Sequence, residues 1–91
     1  MNENVTVIGA GTMGSGIAQI AAEAGFNVTI VDTEQAFIDR GIGGIRKFLE
    51  RKAAKRVISV EQMEQALSRL KGSTDIKVGV AGSVMVVEAV F

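Results

Sequence analysis

The stretch that most constrains this chain runs from Val5 to Asp32, VTVIGAGTMGSGIAQIAAEAGFNVTIVD. A β-branched run, Val5–Ile8, leads straight into Gly9-Ala10-Gly11-Thr12-Met13-Gly14. A helical pattern follows, then a second β-branched run, Val28–Val31, that ends in Asp32. With eleven glycines in 91 residues, a G-x-G-x-x-G spacing alone is weak. Strand before, helix after, a second strand and a closing acid together make it the pattern of a dinucleotide site.

Each position has a physical reason. The first glycine permits a sharp turn off the strand, and the second lets the main chain approach a diphosphate. The third lets the helix pack closely on its neighbours. A helix starting there points free N–H groups and the positive end of its dipole at an anion. Asp32, eighteen residues after Gly14, is placed to accept hydrogen bonds from ribose hydroxyls and to repel a 2′-phosphate. The pattern therefore favours NAD over NADP as cofactor.

The periodicity predicts a helix from Thr12 to Ala24 whose inner face is Met13, Ile17, Ile20, Ala21 and Ala24, with Gly25 as terminator. On this spacing Met13 belongs to the core. Thr33 is the expected N-cap of a second helix with Ile38, Ile42, Ile45 and Leu49 inward. Gly41, Gly43 and Gly44 interrupt it, each costing about 1 kcal/mol relative to alanine. Either another element crosses closely there or the helix is weak. Six of the ten basic residues fall between Arg46 and Arg56, as an anion contact or a solvated face. Ser59-Val60-Glu61-Gln62 fits a capping box. It opens a third helix with Met63, Leu67 and Leu70 inward and Gly72 as terminator. The second crossover, about 34–71, thus reads as a helical-hairpin arm.

Ser73–Ile76 is the expected third strand and Lys77–Gly82 a loop or single turn. Ser83–Val90 is valine-rich, as in a parallel strand covered on both faces. The fold class is α/β: a Rossmann-type parallel sheet, the first βαβαβ-like half of a domain. A chain ending at Phe91 on such a strand reads as an N-terminal fragment, 1–91, of a longer dinucleotide-binding domain. The first strand opens within four residues, so no signal peptide is expected.

Ten acidic and ten basic side chains cancel, so no overall field points to nucleic acid or a membrane surface. Cysteine is absent, which excludes disulfides and thiolate chemistry and fits the cytoplasm. Histidine, tyrosine and tryptophan are missing too, and no metal-ligand spacing occurs. Glu88, in an apolar strand, fits a structural or cofactor-side place better than proton transfer.

Val7-Ile8-Gly9-Ala10-Gly11-Thr12-Met13-Gly14-Ser15-Gly16-Ile17-Ala18-Gln19 resembles the opening of the NAD-binding domain of 3-hydroxyacyl-CoA dehydrogenases, the bacterial 3-hydroxybutyryl-CoA enzymes above all. The glycine turn alone is shared with 6-phosphogluconate and 3-hydroxyisobutyrate dehydrogenases. Gly16–Gln19, the arm, Ser73-Thr74-Asp75 and Val86-Val87-Glu88-Ala89-Val90 set it apart. The resemblance implies that Gly9, Ala10, Gly11, Thr12, Met13 and Gly14 hold the pyrophosphate of NAD and Asp32 the adenosine ribose. Ala89 and Val90 would pass close to the cofactor. It also implies an acyl-CoA substrate touched by the arm through Lys55, although Phe48 stands where relatives have a serine. The implied parent is a homodimeric oxidoreductase with a catalytic histidine–glutamate pair beyond residue 91, so this chain alone is expected to be inactive. A nucleotide-binding module without catalysis, or a related hydroxy-acid dehydrogenase, stays open.

Overall fold

The computed structural model describes residues 3–89. Four strands, β1 (Asn4–Ile8), β2 (Asn27–Val31), β3 (Leu70–Ser73) and β4 (Ser83–Glu88), form one parallel sheet in the order β3-β2-β1-β4. The helices are α1 (Thr12–Glu23), α2 (Gln35–Ala54), α3 (Val60–Ser68) and the single turn α4 (Ile76–Val80). The α/β reading therefore holds. Among the described residues no helix is long and apolar enough to cross a membrane.

The period of two along the strands assigns the faces. Val5, Val7, Val28 and Ile30 point into the main core with Ile38, Ile45 and Leu49 of α2. Thr29 and Val31 face the other side, where a Cβ on Gly79 of α4 would stand 2.3 Å from Val31 Cγ2. Thr6, also fully buried, donates its hydroxyl to the Gly79 carbonyl at 2.7 Å and is paired with the Ser83 hydroxyl. Helices thus cover both faces of the first two strands, as parallel sheets require.

Several expectations are corrected by packing. The buried stripe of α1 is Gly14, Ala18 and Ala22, not the larger residues. Met13 is 50% exposed and Ile20 71%, and Ala24 is exposed beyond the helix as its C-cap. Only Ile17 and Ala21 of the expected face pack on the core, from its flanks. A helix pressed this closely onto a sheet turns its smallest residues inward. Glu34, not Thr33, is the N-cap of α2, without a side-chain bond; the Thr33 hydroxyl donates to Asp32 instead.

Gly72 does not end α3. It lies inside β3, where an added Cβ would come 2.2 Å from Ile38 Cγ2. The third strand accordingly sits three residues earlier than expected, and Leu70 packs from the strand rather than a helix. Gly41 settles the question of the α2 glycines at one position, because a Cβ there would stand 2.8 Å from Ser15 Oγ and 2.9 Å from the Ala10 carbonyl. The capping box is present as expected, Gln62 N–H donating to Ser59 Oγ and Ser59 N–H to Gln62 Oε1. Among the described residues, Val84, Met85 and Val86 of β4 are exposed on the edge of the four strands.

The two isoleucines give a direct check of this packing. Ile38→Ala is expected to cost about 2–5 kcal/mol, because it empties a fully buried site over Gly72. Ile20→Ala is expected to stay within about 0.5 kcal/mol of the parent. Urea unfolding of both variants measures the difference; equal losses would return Ile20 to the core.

Candidate dinucleotide site

The first strand hands the chain to α1 through Gly9, which adopts φ 109°, a conformation only glycine takes easily. Its N–H donates to the Val31 carbonyl at 2.7 Å, tying the turn to the end of β2. Gly14 then lies against this turn. A Cβ there would stand 1.8 Å from the Gly9 carbonyl oxygen, so the third glycine is demanded by backbone contact within the protein.

Gly11 differs. It is the N-cap of α1 at φ −70°, and an added Cβ would meet nothing within 4 Å. Neither conformation nor internal packing asks for glycine here. No side chain caps the helix, and no acidic residue sits in its first turn. The N-terminal N–H groups are therefore left to solvent or an anion.

Asp32 does two things at the end of β2. One oxygen, Oδ2, accepts the Ala10 N–H at 2.8 Å, bracing the glycine loop from outside. The other, Oδ1, accepts the Thr33 N–H at 2.7 Å and its hydroxyl at 3.3 Å. Each carboxylate oxygen carries two lone pairs, so Oδ2 retains acceptor capacity for a ribose hydroxyl. The Ser15 hydroxyl, donating to the Ala10 carbonyl at 2.9 Å, holds the loop from its other side.

These residues open onto a cleft of about 1180 Å³. Gly9, Ala10, Gly11, Thr12, Met13, Asp32 and Ala89 all line it, so the loop, the acid and the end of β4 converge as expected. Ala89 is held there by its N–H, which donates to the Ile8 carbonyl at 2.8 Å. Gly14 lies behind the loop, buried. Met13, which the helical spacing puts in the core and the family resemblance puts at the loop, is part of the cleft wall. Val90 falls outside the described residues. Glu88 is exposed at the end of β4 and does not line the cleft.

Lys55 is not brought to this site. It is the exposed C-cap of α2, seven residues past Phe48 on the same helical stripe, or about 10 Å along the axis. Phe48 does line the cleft. Sequence reasoning missed Ser15, Phe37 and Arg40, which also line it. The available signal was the spacing Phe37-x-x-Arg40, repeated as Phe48-x-x-Arg51; in both pairs the guanidinium lies over the ring, at 5.8 and 5.5 Å.

The two glycines should separate under mutation. Gly14→Val is expected to cost about 3 kcal/mol or more in the ligand-free chain, since its Cβ collides with backbone. Gly11→Val is expected to cost no more than about 1 kcal/mol, the loss of a good N-cap. Thermal melts of both decide; equal losses would make Gly11 structural as well.

Comparison with known proteins agrees with this geometry. Residues 4–91 match the family described as "3-hydroxyacyl-CoA dehydrogenase, NAD binding domain". The chain is 44% identical, over 92% of its length, to a probable 3-hydroxybutyryl-CoA dehydrogenase of Deinococcus radiodurans, of which the match covers 30%. It is 40% identical, over 96% of its length, to a probable 3-hydroxyacyl-CoA dehydrogenase of Caenorhabditis elegans, again covering 30%. The crystal structure of 3-hydroxybutyryl-CoA dehydrogenase from Escherichia coli K12 superposes on the whole chain with a TM-score of 0.94 at 36% identity, covering 19% of that protein. The chain thus spans about 30% of the length of the curated relatives it matches. A strand–glycine turn–helix braced by an acid, matched from residue 4 onward, places this chain in the family of 3-hydroxyacyl-CoA dehydrogenase NAD-binding domains.

Proposed function

We propose that this chain binds NAD across the glycine loop and is the cofactor-binding portion of an oxidoreductase that interconverts 3-hydroxyacyl-CoA and 3-ketoacyl-CoA. The observation that carries the reading is Gly11, a glycine with empty space before it at an uncapped helix end. That space leaves the backbone N–H groups at the start of α1 open to an anion. The loop N–H groups would hold the diphosphate, and Asp32 the adenosine ribose. Asp32 also supports NAD over NADP, because a 2′-phosphate would meet its carboxylate.

When bound, NAD supplies the hydride chemistry. This chain's residues bind, orient and shield it. Proton transfer to and from the substrate oxygen requires a general base, and the chain contains no histidine, tyrosine or cysteine to act as one. In this reading the base comes from a further segment of polypeptide, and the chain by itself has no dehydrogenase activity. The same lack of a base favours, as the second reading, a nucleotide-binding module without catalysis.

Lys55 is proposed to meet the CoA portion of the substrate as a point charge at the exposed end of the arm. A homodimeric parent in the cytoplasm, with no nucleic-acid or membrane partner, completes the proposal; the cancelling charge supports the lack of such partners, and the lack of cysteine fits the cytoplasm.

Titration calorimetry on the 91-residue chain tests the cofactor half. Asp32→Asn is expected to weaken NAD binding by roughly 1–3 kcal/mol, and Asp32→Arg to improve NADP relative to NAD. Asparagine has a single side-chain oxygen for the two backbone N–H groups that Asp32 now serves, so Asp32→Asn should also lower the melting temperature without ligand. Gly11→Val should abolish NAD binding while the chain stays folded. Unchanged selectivity in the Asp32 variants would remove it from the site.

For the arm, Lys55→Ala is expected to weaken CoA binding by up to about 1 kcal/mol at low salt, with the difference fading as salt is raised, and to leave NAD affinity unchanged. A loss that ignores salt, or one shared by NAD, would count against a phosphate contact.

A further inference from the structure

We propose that Arg40, whose guanidinium lies over the Phe37 ring, is the platform on which the adenine base of the dinucleotide stacks, making it a further binding residue for the cofactor. This rests on the NAD-binding reading above.

Arg40 and Phe37 belong to the same cleft as the glycine loop and Asp32. Their place there is fixed by the neighbouring residue. Gly41 lies against the Ala10 carbonyl and Ser15, and Ala10 is itself bonded to Asp32. The second turn of α2 is thereby anchored beside the loop. A side chain at 41 would push it away.

The order of groups along the ligand then sets the assignment. Diphosphate at the loop and ribose at Asp32 leave the base as the next group outward. On the α2 side, Phe37 and Arg40, five and eight residues past Asp32 in the chain, line the same cleft. The guanidinium carbon lies over the Phe37 ring, 5.8 Å from its centroid, and Arg40 is exposed. Among the described residues the one salt bridge is Lys52–Glu23, so no carboxylate among them draws Arg40 off the ring. A planar cation backed by an aromatic ring is suited to stacking on a base, where lysine is not.

The alternative use of an arginine here is pairing with a phosphate. The two differ in salt dependence and in tolerance of lysine. Arg51 provides an internal control: it stacks on Phe48 in the same i, i+3 manner but lies outside the cleft.

The test is titration of the 91-residue chain with NAD, AMP and nicotinamide mononucleotide, by calorimetry or by NMR shifts. Arg40→Ala is expected to weaken AMP and NAD by about three- to tenfold, with no change for nicotinamide mononucleotide. Arg40→Lys should restore little of this, and the loss should persist in 0.5 M salt. Phe37→Ala should move affinity the same way, and Arg51→Ala should leave all three ligands unchanged. Unaltered AMP and NAD binding in Arg40→Ala would overturn the assignment while leaving the NAD reading intact. Full rescue by lysine, or a loss that disappears with salt, would make Arg40 a phosphate partner and overturn it equally. An equal loss in Arg51→Ala would reduce the effect to general surface charge. If the parent chain and Gly11→Val both fail to bind NAD, the underlying reading falls and this inference with it.

Discussion

The contact between Gly14 and the Gly9 carbonyl determines where everything else lies. Nothing larger than a hydrogen fits there, since a Cβ would be 1.8 Å from the oxygen. That contact fixes the start of α1 against the end of β1 and turns its small stripe, Gly14, Ala18 and Ala22, onto the sheet. A helix so close leaves its larger side chains at the flanks and on the outside, which puts Met13 at the cleft. No side chain caps the helix end that this contact places at the loop.

Asp32 ties this arrangement to the second strand. A carboxylate at the end of β2 that already accepts the Ala10 N–H is part of the loop before any ligand arrives. Its orientation is set twice, by Ala10 and by Thr33, so the free acceptor capacity is aimed rather than mobile. Preorganisation of this kind lowers the ordering cost of binding. The structural role of Asp32 and the ribose contact proposed for it therefore rest on one geometry.

Legibility in the sequence followed how local each cause was. The first two strands, the glycine turn and the Ser59–Gln62 capping box depend on neighbours a few residues away, and all three read correctly. Gly72 did not. A glycine after a helical pattern suggests a terminator, whereas its cause is Ile38, thirty-four residues earlier, crossing over the strand. The inner face of α1 failed for a related reason: with apolar residues all round the helix, periodicity ranks large side chains first, while close approach to the sheet selects small ones. Of the candidate site, the loop, Asp32 and Ala89 were legible and converge. Phe37 and Arg40 were not, because only the crossing at Gly41 brings α2 to the cleft.

Glycine is thus the residue whose meaning the sequence leaves most open, and space decides it. Gly14, Gly41, Gly72 and Gly79 each face an atom closer than 3 Å from where a Cβ would be; packing accounts for them without any ligand. Gly11, Gly16 and Gly44 line the cleft with nothing within 4 Å. Within α1 and α2, Gly16 and Gly44 each lose about 1 kcal/mol of helix propensity relative to alanine, and no internal contact offsets it. What they do is keep the walls of the cleft low on both helices. Gly43 lies in equally open space away from the cleft, and nothing in the structure explains it. An unexplained glycine alone therefore says little, but three on the walls of one cleft, beside a braced acid and an uncapped helix, have a common physical cause in room for a ligand.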